Sequence, residues 1–177
     1  MTSFAHETYI VLELPENIKD KIIQIREDNQ DEFRASLPAE ITVAGSSGVG
    51  VLVKGQDEEF VYNKIEEIAK TTSPFKLAFG EVERFAGSDI FAMKLKDETE
   101  IRKLHIRLKE CGIEYENTKH EYNPHCTLRS RSPVSEEEAI KLHSLIIDDE
   151  FIVDTISVYM VDKIPLTKLY TVKLTGK

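Results

Sequence analysis

The sequence lacks the features of a membrane-inserted or exported protein. It contains no apolar run that approaches the roughly eighteen residues of a membrane-spanning helix. Its amino-terminal segment has neither the basic leader nor the apolar stretch of a signal peptide. Only two cysteines occur, Cys111 and Cys126, which excludes a disulfide framework and fits a reducing compartment. We therefore expect a soluble, cytoplasmic protein with no membrane partner.

Basic residues are also scarce. The 23 Lys and Arg are outnumbered by 32 Asp and Glu, which gives a formal net charge of −9. Binding along a nucleic-acid backbone depends on many Lys and Arg contacts, so this balance argues against long nucleic acid as a partner. With 41% hydrophobic residues, the chain is expected to form one globular domain over residues 1–177, active as a monomer.

Residues 122–130, Tyr-Asn-Pro-His-Cys-Thr-Leu-Arg-Ser, are the most informative stretch. Side chains alternate along a strand, so His125, Thr127 and Arg129 are expected on one face and Cys126 on the other. The first face combines an imidazole that titrates near neutral pH, a hydroxyl and a guanidinium. These groups can hold and cleave a phosphoester.

Other interpretations of these reactive residues are weaker. Adjacent strand residues point to opposite faces, so His125 cannot activate the Cys126 thiol. The spacing of Cys111, His120, His125 and Cys126 fits no zinc-binding pattern, and we expect neither a metal nor a cofactor. A histidine on a strand can also be a packed structural residue. His105 and the other helical histidine, at position 143, are expected at solvent-facing or boundary positions.

A second copy of the pattern occurs about eighty residues earlier. Residues 37–43 read Leu-Pro-Ala-Glu-Ile-Thr-Val, in which a proline precedes an ionisable residue, an apolar residue, a threonine and another apolar residue. Here Glu40 stands in the position that His125 has in the later copy, and Thr42 matches Thr127. The repeat makes a catalytic role for both segments more plausible than one motif alone would.

With these two motifs the chain resembles the two-histidine (2H) phosphoesterase superfamily, in particular 2'-5' RNA ligase-like proteins and RNA cyclic phosphodiesterases. The resemblance covers nearly the whole chain, although the first motif matches only in part. It implies that His125, Thr127 and Thr42 have catalytic and phosphate-holding roles, and that Glu40 occupies the position of the first histidine. It also implies two antiparallel sheets that flank a cleft.

Two further residues are expected to bind substrate. Arg129 shares the predicted face of His125 and is a candidate anion clamp. Tyr122 lies in the loop that leads into the second motif. The expected ligand is a small nucleotide or a short RNA end.

The order of predicted elements favours an α+β fold with two pseudo-symmetric lobes of antiparallel sheet, outer helices and a central cleft. One helix is predicted over residues 16–28, and others are predicted to start at Asp57, at Asp97 with a capping box to Glu100, and at Ser135 with a box to Glu138. Residues 29–36 are expected to be a loop. Strands are predicted over residues 4–14, 40–44, 75–85, 89–95, 151–161 and 168–174, and a further short strand is predicted within residues 122–130.

The glycine-rich segment Gly45-Ser-Ser-Gly-Val-Gly50 raises the possibility of a phosphate-binding loop, because glycine lets backbone amides approach an anion. Its spacing matches neither of the common nucleotide-binding patterns. A flexible connection at the mouth of the cleft is the simpler interpretation.

Glu40 leaves the mechanism open. A carboxylate about 4 Å from a phosphate monoanion is repelled by roughly 4 kcal/mol at an effective dielectric of 20. Keeping an ordinary glutamate protonated at pH 7 costs roughly 3.7 kcal/mol, so the two magnitudes nearly cancel. Glu40 could be a protonated general acid, an ionised base, or part of a site that binds without turnover.

The function that the resemblance implies is phosphoester chemistry on a 2',3'-cyclic phosphate or a 2'-5' linkage, by acid-base catalysis without a metal. The alternative is a catalytically impaired member of the same fold that binds nucleotides or RNA ends. Glu40→His separates the cases: activity should rise if the histidine completes the motif, and fall if Glu40 is an adapted acid.

Overall fold

The computed structural model describes residues 4–177, so the first three residues of the predicted domain lie outside the described part. The predicted α+β class is confirmed. The strands are β1 (Thr8–Glu13), β2 (Glu40–Ala44), β3 (Phe75–Arg84), β4 (Phe91–Leu95), β5 (His125–Arg129), β6 (Glu150–Val153), β7 (Thr155–Met160) and β8 (Thr167–Lys173). The helices are α1 (Glu16–Asp28), α2 (Glu32–Ala35), α3 (Glu58–Lys70), α4 (Thr99–Glu110) and α5 (Glu136–His143).

The strands form two four-stranded sheets, which define two lobes. The first lobe has the strand order β2-β1-β7-β8 and the second has the order β5-β4-β3-β6. Neighbouring strands pair antiparallel throughout, as predicted. Both motif strands, β2 and β5, are edge strands of their sheets. The motif residues can therefore meet only where the two edges approach each other.

The helices interlock the lobes. Helix α1 follows a strand of the first lobe but packs against β5, and α4 follows a strand of the second lobe but packs against β2. Buried apolar side chains from both sheets form a continuous core. Each motif strand is therefore held by a helix that follows a strand of the other lobe. Within residues 4–177, no helix is both long and apolar enough to cross a membrane.

Local sequence signals explain two of the helix starts. The predicted capping box of α5 is confirmed, because Ser135 and Glu138 bond each other's backbone amides. The predicted cap at Asp57 is also confirmed, since its carboxylate accepts the amide of Glu59 at 2.9 Å. The box predicted at Asp97 is wrong: α4 begins two residues later, and the Asp97 carboxylate accepts the amide of Thr99 instead of that of Glu100.

Two predicted elements are corrected. The strand predicted over residues 151–161 is two strands, because β6 pairs with β3 while β7 pairs with β1 and β8. The apolar positions change phase at this point, from odd numbers in β6 to even numbers in β7, and such a slip turns the buried face over. The loop predicted over residues 29–36 contains the short helix α2, in which the Asp31 side chain caps the amide of Arg34.

Candidate active site

The first motif places Glu40 and Thr42 on the same face of β2. Both side chains are partly exposed, whereas the alternating residues Ile41 and Val43 are fully buried. The hydroxyl of Thr42 lies 3.2 Å from one carboxylate oxygen of Glu40 and donates a hydrogen bond to it. The first motif is therefore a coupled carboxyl and hydroxyl pair.

The second motif has the same alternation. His125 and Thr127 are partly exposed, and the intervening Cys126 is buried. The Nδ1 of His125 lies 2.6 Å from the carbonyl oxygen of Asn123, which can only accept, so Nδ1 carries a proton. In the neutral imidazole, Nε2 then has a free lone pair that can accept a proton. Lys94, which pairs with His125 across β4 and β5, donates to the Asn123 side chain.

Arg26 ties the two motif strands together. It is only 2% exposed, and its Nε and Nη2 donate to the carbonyl of Thr127 at 3.1 and 2.8 Å. Its Nη1 donates to the carbonyls of Leu37 and Pro38, which lie just before Ala39 and β2, at 3.0 and 3.3 Å. In addition, strands β2 and β5 pack directly against each other. These contacts bring the motif strands side by side, at what we call the motif site (Glu40, Thr42, His125, Thr127).

Arg34 is a further cation between the motifs. Its Nε and Nη2 donate to the hydroxyl of Ser130 at 3.2 and 3.1 Å. Burial has the largest effect on the pKa of both Glu40 and His125, and the positive charge of Arg34 contributes a smaller lowering to each. Among the contacts of residues 4–177, its Nη1 donates no hydrogen bond and is not enclosed. It is therefore available to a bound anion.

The protein environment shifts the pKa values of Glu40 and His125 in opposite directions. Burial raises the pKa of Glu40 to about 7, although Arg26, the Thr42 hydrogen bond and Arg34 oppose this shift. Burial lowers the pKa of His125, with smaller contributions in the same direction from the charges of Lys94 and Arg34. Near neutral pH the site can therefore hold both a protonated Glu40 carboxyl and a neutral His125 imidazole.

The predicted role of Arg129 is not supported. Its side chain has no exposed surface, and its Nη1 donates to Glu138 of α5 at 2.8 Å. The reason is a slip in register, because Thr127 and Arg129 pair with the consecutive residues Ala92 and Phe91 of β4. Leu128 is thus an extra residue that reverses the alternation and turns Arg129 away from the face of His125. Arg129 anchors α5.

Tyr122 lies beside the first motif. Its hydroxyl donates to the carbonyl of Thr42 at 3.0 Å, and its ring stacks on His105 with 3.8 Å between centroids. His105 is not at the surface as predicted: it is 7% exposed, and its Nδ1 donates to the carbonyl of Val43 at 2.7 Å. His105 thus contacts, from α4, the motif strand of the opposite lobe, just as Arg26 does from α1.

The glycine-rich segment is a closely packed connection. Gly48 has φ +74°, and a Cβ there would lie 2.3 Å from the His105 ring. Its amide donates to the carbonyl of His120 at 2.8 Å and so is not free for a phosphate. The positive φ and the close contact explain the glycine without a nucleotide-binding role.

The reactive groups that could bind a metal do not cluster. In the described part of the chain, no three His, Cys, Asp or Glu side chains lie together as a metal site requires. Cys126, which the sequence places beside His125, is buried, and burial raises its pKa to about 11.

The comparisons with known proteins identify the family. A family model described as the 2'-5' RNA ligase superfamily matches residues 14–163. The chain therefore belongs to this superfamily of 2H phosphoesterases, which confirms the resemblance noted in the sequence. No curated protein matches the chain.

Solved structures share the fold at low identity. TT0787 of Thermus thermophilus is 16% identical with a TM-score of 0.71, and the match covers 97% of this chain and 99% of that one. LigT of E. coli in complex with 3'-AMP is 15% identical with a TM-score of 0.62, and the match again covers 97% of this chain and 99% of that one. LigT with NADP+ has a TM-score of 0.60 at 14% identity, with 97% and 98% covered.

Proposed function

We propose that the protein is a metal-independent phosphodiesterase that acts on a 2',3'-cyclic phosphate or a 2'-5' linkage in a small nucleotide or RNA end. The observation that carries the proposal is that β2, which carries Glu40 and Thr42, packs against β5, which carries His125 and Thr127, with Arg26 bridging the two segments. The E. coli LigT structures, whose ligands include 3'-AMP, NADP+ and phosphate, support a small nucleotide as the ligand.

The protonation states assign the roles of the two titrating groups. The free Nε2 of neutral His125 takes a proton from the attacking water as the new bond to phosphorus forms. The protonated carboxyl of Glu40 gives its proton to the ribose oxygen as the bond between that oxygen and phosphorus breaks. The reaction consumes one water, yields a phosphomonoester and leaves both groups to exchange protons with solvent before the next turnover.

The remaining groups hold the phosphate. Hydroxyls of Thr42 and Thr127 donate to the non-bridging oxygens, and the Thr42 hydroxyl leaves Glu40 when substrate binds. Arg34 replaces Arg129 as the cation near the phosphate. A protonated Glu40 does not repel the phosphate monoanion, which removes the electrostatic objection to a glutamate at this position.

The direct test is an assay of purified protein with 2',3'-cyclic AMP in the presence of a chelator. We expect a nucleoside phosphomonoester to form without added metal, and the Thr42→Ala/Thr127→Ala double variant to be slower. Absence of turnover with retained binding of 3'-AMP would instead favour the non-catalytic member of the fold.

Replacement of Arg34 tests the anion-binding assignment. Arg34→Gln removes one charge-assisted contact and should weaken binding of inorganic phosphate about tenfold. Because the Arg34 charge lowers the pKa of Glu40, the variant should also move the alkaline fall of activity to higher pH. Calorimetric titration with phosphate and a pH profile measure both effects.

Lys76→Gln is the matched control, since it removes the same charge from an exposed position on β3. Equal weakening by both variants would show only a general effect of net charge and would contradict the assignment.

A further inference from the structure

A cavity adjoins the motif site without including its residues. It has a volume of about 470 Å³ and lies between the β3–β4 turn and the segment after β5. Its lining includes Arg84, Phe85, Ser88, Asp89 and Ser132. The volume falls within the range of roughly 300–1,000 Å³ that is usual for small-ligand sites.

Phe85 connects this cavity to His125. The two rings are perpendicular with 4.9 Å between centroids, so the cavity begins one ring away from the imidazole. The turn that carries Phe85 is fixed by backbone hydrogen bonds, with the Phe85 amide 2.9 Å from the carbonyl of Ile90 and the Ser88 amide 3.1 Å from that of Phe85. The cavity therefore has a positioned, partly exposed aromatic wall.

The other walls are polar but electrically balanced. Arg84 donates to the Asp89 carboxylate at 2.5 Å and to the carbonyl of Ser88 at 2.8 Å, so its charge is already paired. A second phosphate would find no unpaired cation among these walls. An aromatic wall with nearby carboxylate and hydroxyl groups instead suits an uncharged, planar group that carries hydrogen-bond donors.

We propose that this cavity binds the nucleoside attached to the reacting phosphate, with its base against Phe85. This inference rests on the proposed function in one respect: it assumes that the reacting phosphate binds at the motif site. It makes nucleoside cyclic phosphates and RNA ends the preferred substrates over cyclic phosphates without a base. Asp89 and Ser132 then face the amino groups of the base or the ribose hydroxyls.

The experiment compares ligands with and without a base. Calorimetry measures binding of 3'-AMP and ribose 3-phosphate to wild type, Phe85→Leu and Phe85→Tyr. Stacking on an aromatic side chain contributes about 1–3 kcal/mol per base, so 3'-AMP should bind wild type about tenfold more tightly than ribose 3-phosphate. Phe85→Leu, which keeps an apolar side chain next to His125, should abolish that advantage, and Phe85→Tyr should retain it.

The outcomes separate this inference from the proposed function. Equal affinity of wild type for the two ligands, or equal weakening of both by Phe85→Leu, would overturn the subsite even if cyclic phosphates are hydrolysed. Base-dependent binding that requires an aromatic residue at position 85, in a protein that hydrolyses no cyclic phosphate, would support the subsite and reject the catalytic proposal.

Discussion

His125→Ala is expected to lower the turnover of 2',3'-cyclic AMP by about 10²- to 10⁴-fold, which is the usual contribution of a general acid or base. The neutral imidazole presents a free Nε2 because the Asn123 carbonyl holds the proton on Nδ1. Alanine has no group that can accept a proton from water. Since the hydroxyls of Thr42 and Thr127 remain, KM should change much less than kcat.

His143→Ala is the matched control for this variant. His143 is exposed on α5 and lies outside the motif site, so its replacement should change kcat by less than about twofold. Equal losses in the two variants, or unchanged turnover in His125→Ala, would reject the role of His125 as base. Circular dichroism should show both variants to be folded.

The two motif strands could be predicted from sequence because each depends on short-range alternation. The bounds predicted for the first, residues 40–44, agree with the structure, as do those of helix α1, and the second strand lies within the predicted stretch 122–130. The alternation failed only at Arg129, where Leu128 adds an extra residue to β5 and no sequence signal marks it. A bulge depends on how two strands pair, which the sequence of one strand does not specify.

The cations of the site could not be predicted because their roles arise from contacts between distant segments. Arg26 lies on α1, about a hundred positions before Thr127, whose carbonyl it binds. Arg34 lies in a segment interpreted as a polar loop. A charged residue in such places is usually solvated, and only the packing of α1 against β5 shows that Arg26 is buried.

The same packing explains how a glutamate can replace a histidine as an acid. Burial disfavours the charged form of any group, so it raises the pKa of a carboxyl and lowers that of an imidazole. The positive charges of Arg26 and Arg34 lower the pKa of Glu40, and they would lower that of an imidazole in its place as well. A histidine at position 40 would thus be mostly neutral at pH 7 and would lack the acidic imidazolium proton, whereas a carboxyl with a pKa of about 7 is still partly protonated.

The Glu40 variants should therefore lose activity, and they should differ in pH dependence. The active enzyme requires neutral His125 and protonated Glu40, so wild-type activity should fall below the lowered pKa of His125 and above about pH 7. Glu40→Gln should reduce kcat by about 10²- to 10⁴-fold and abolish the alkaline fall near pH 7. The second variant, Glu40→His, should be less active than wild type at pH 7. Its activity should recover as the pH is lowered, until His125 is protonated.

A rise in activity of Glu40→His at pH 7 would contradict the role of Glu40 as an adapted acid.

Unfolding provides a test of the same carboxyl that does not depend on turnover. The pKa of Glu40 is raised from the ordinary 4.5 to about 7 on folding, so the unfolded chain releases this proton at lower pH than the folded one. This group should therefore reduce stability progressively as the pH rises from about 4.5 to 7, by at most about 3 kcal/mol, with no further loss above that. Glu40→Gln removes that dependence and should raise the free energy of unfolding at pH 8 relative to wild type, with little change at pH 4.

Denaturant unfolding of both proteins at the two pH values measures the difference. An equal effect of the substitution at both would mean that Glu40 titrates normally, and its role as the proton donor near neutral pH would then fail.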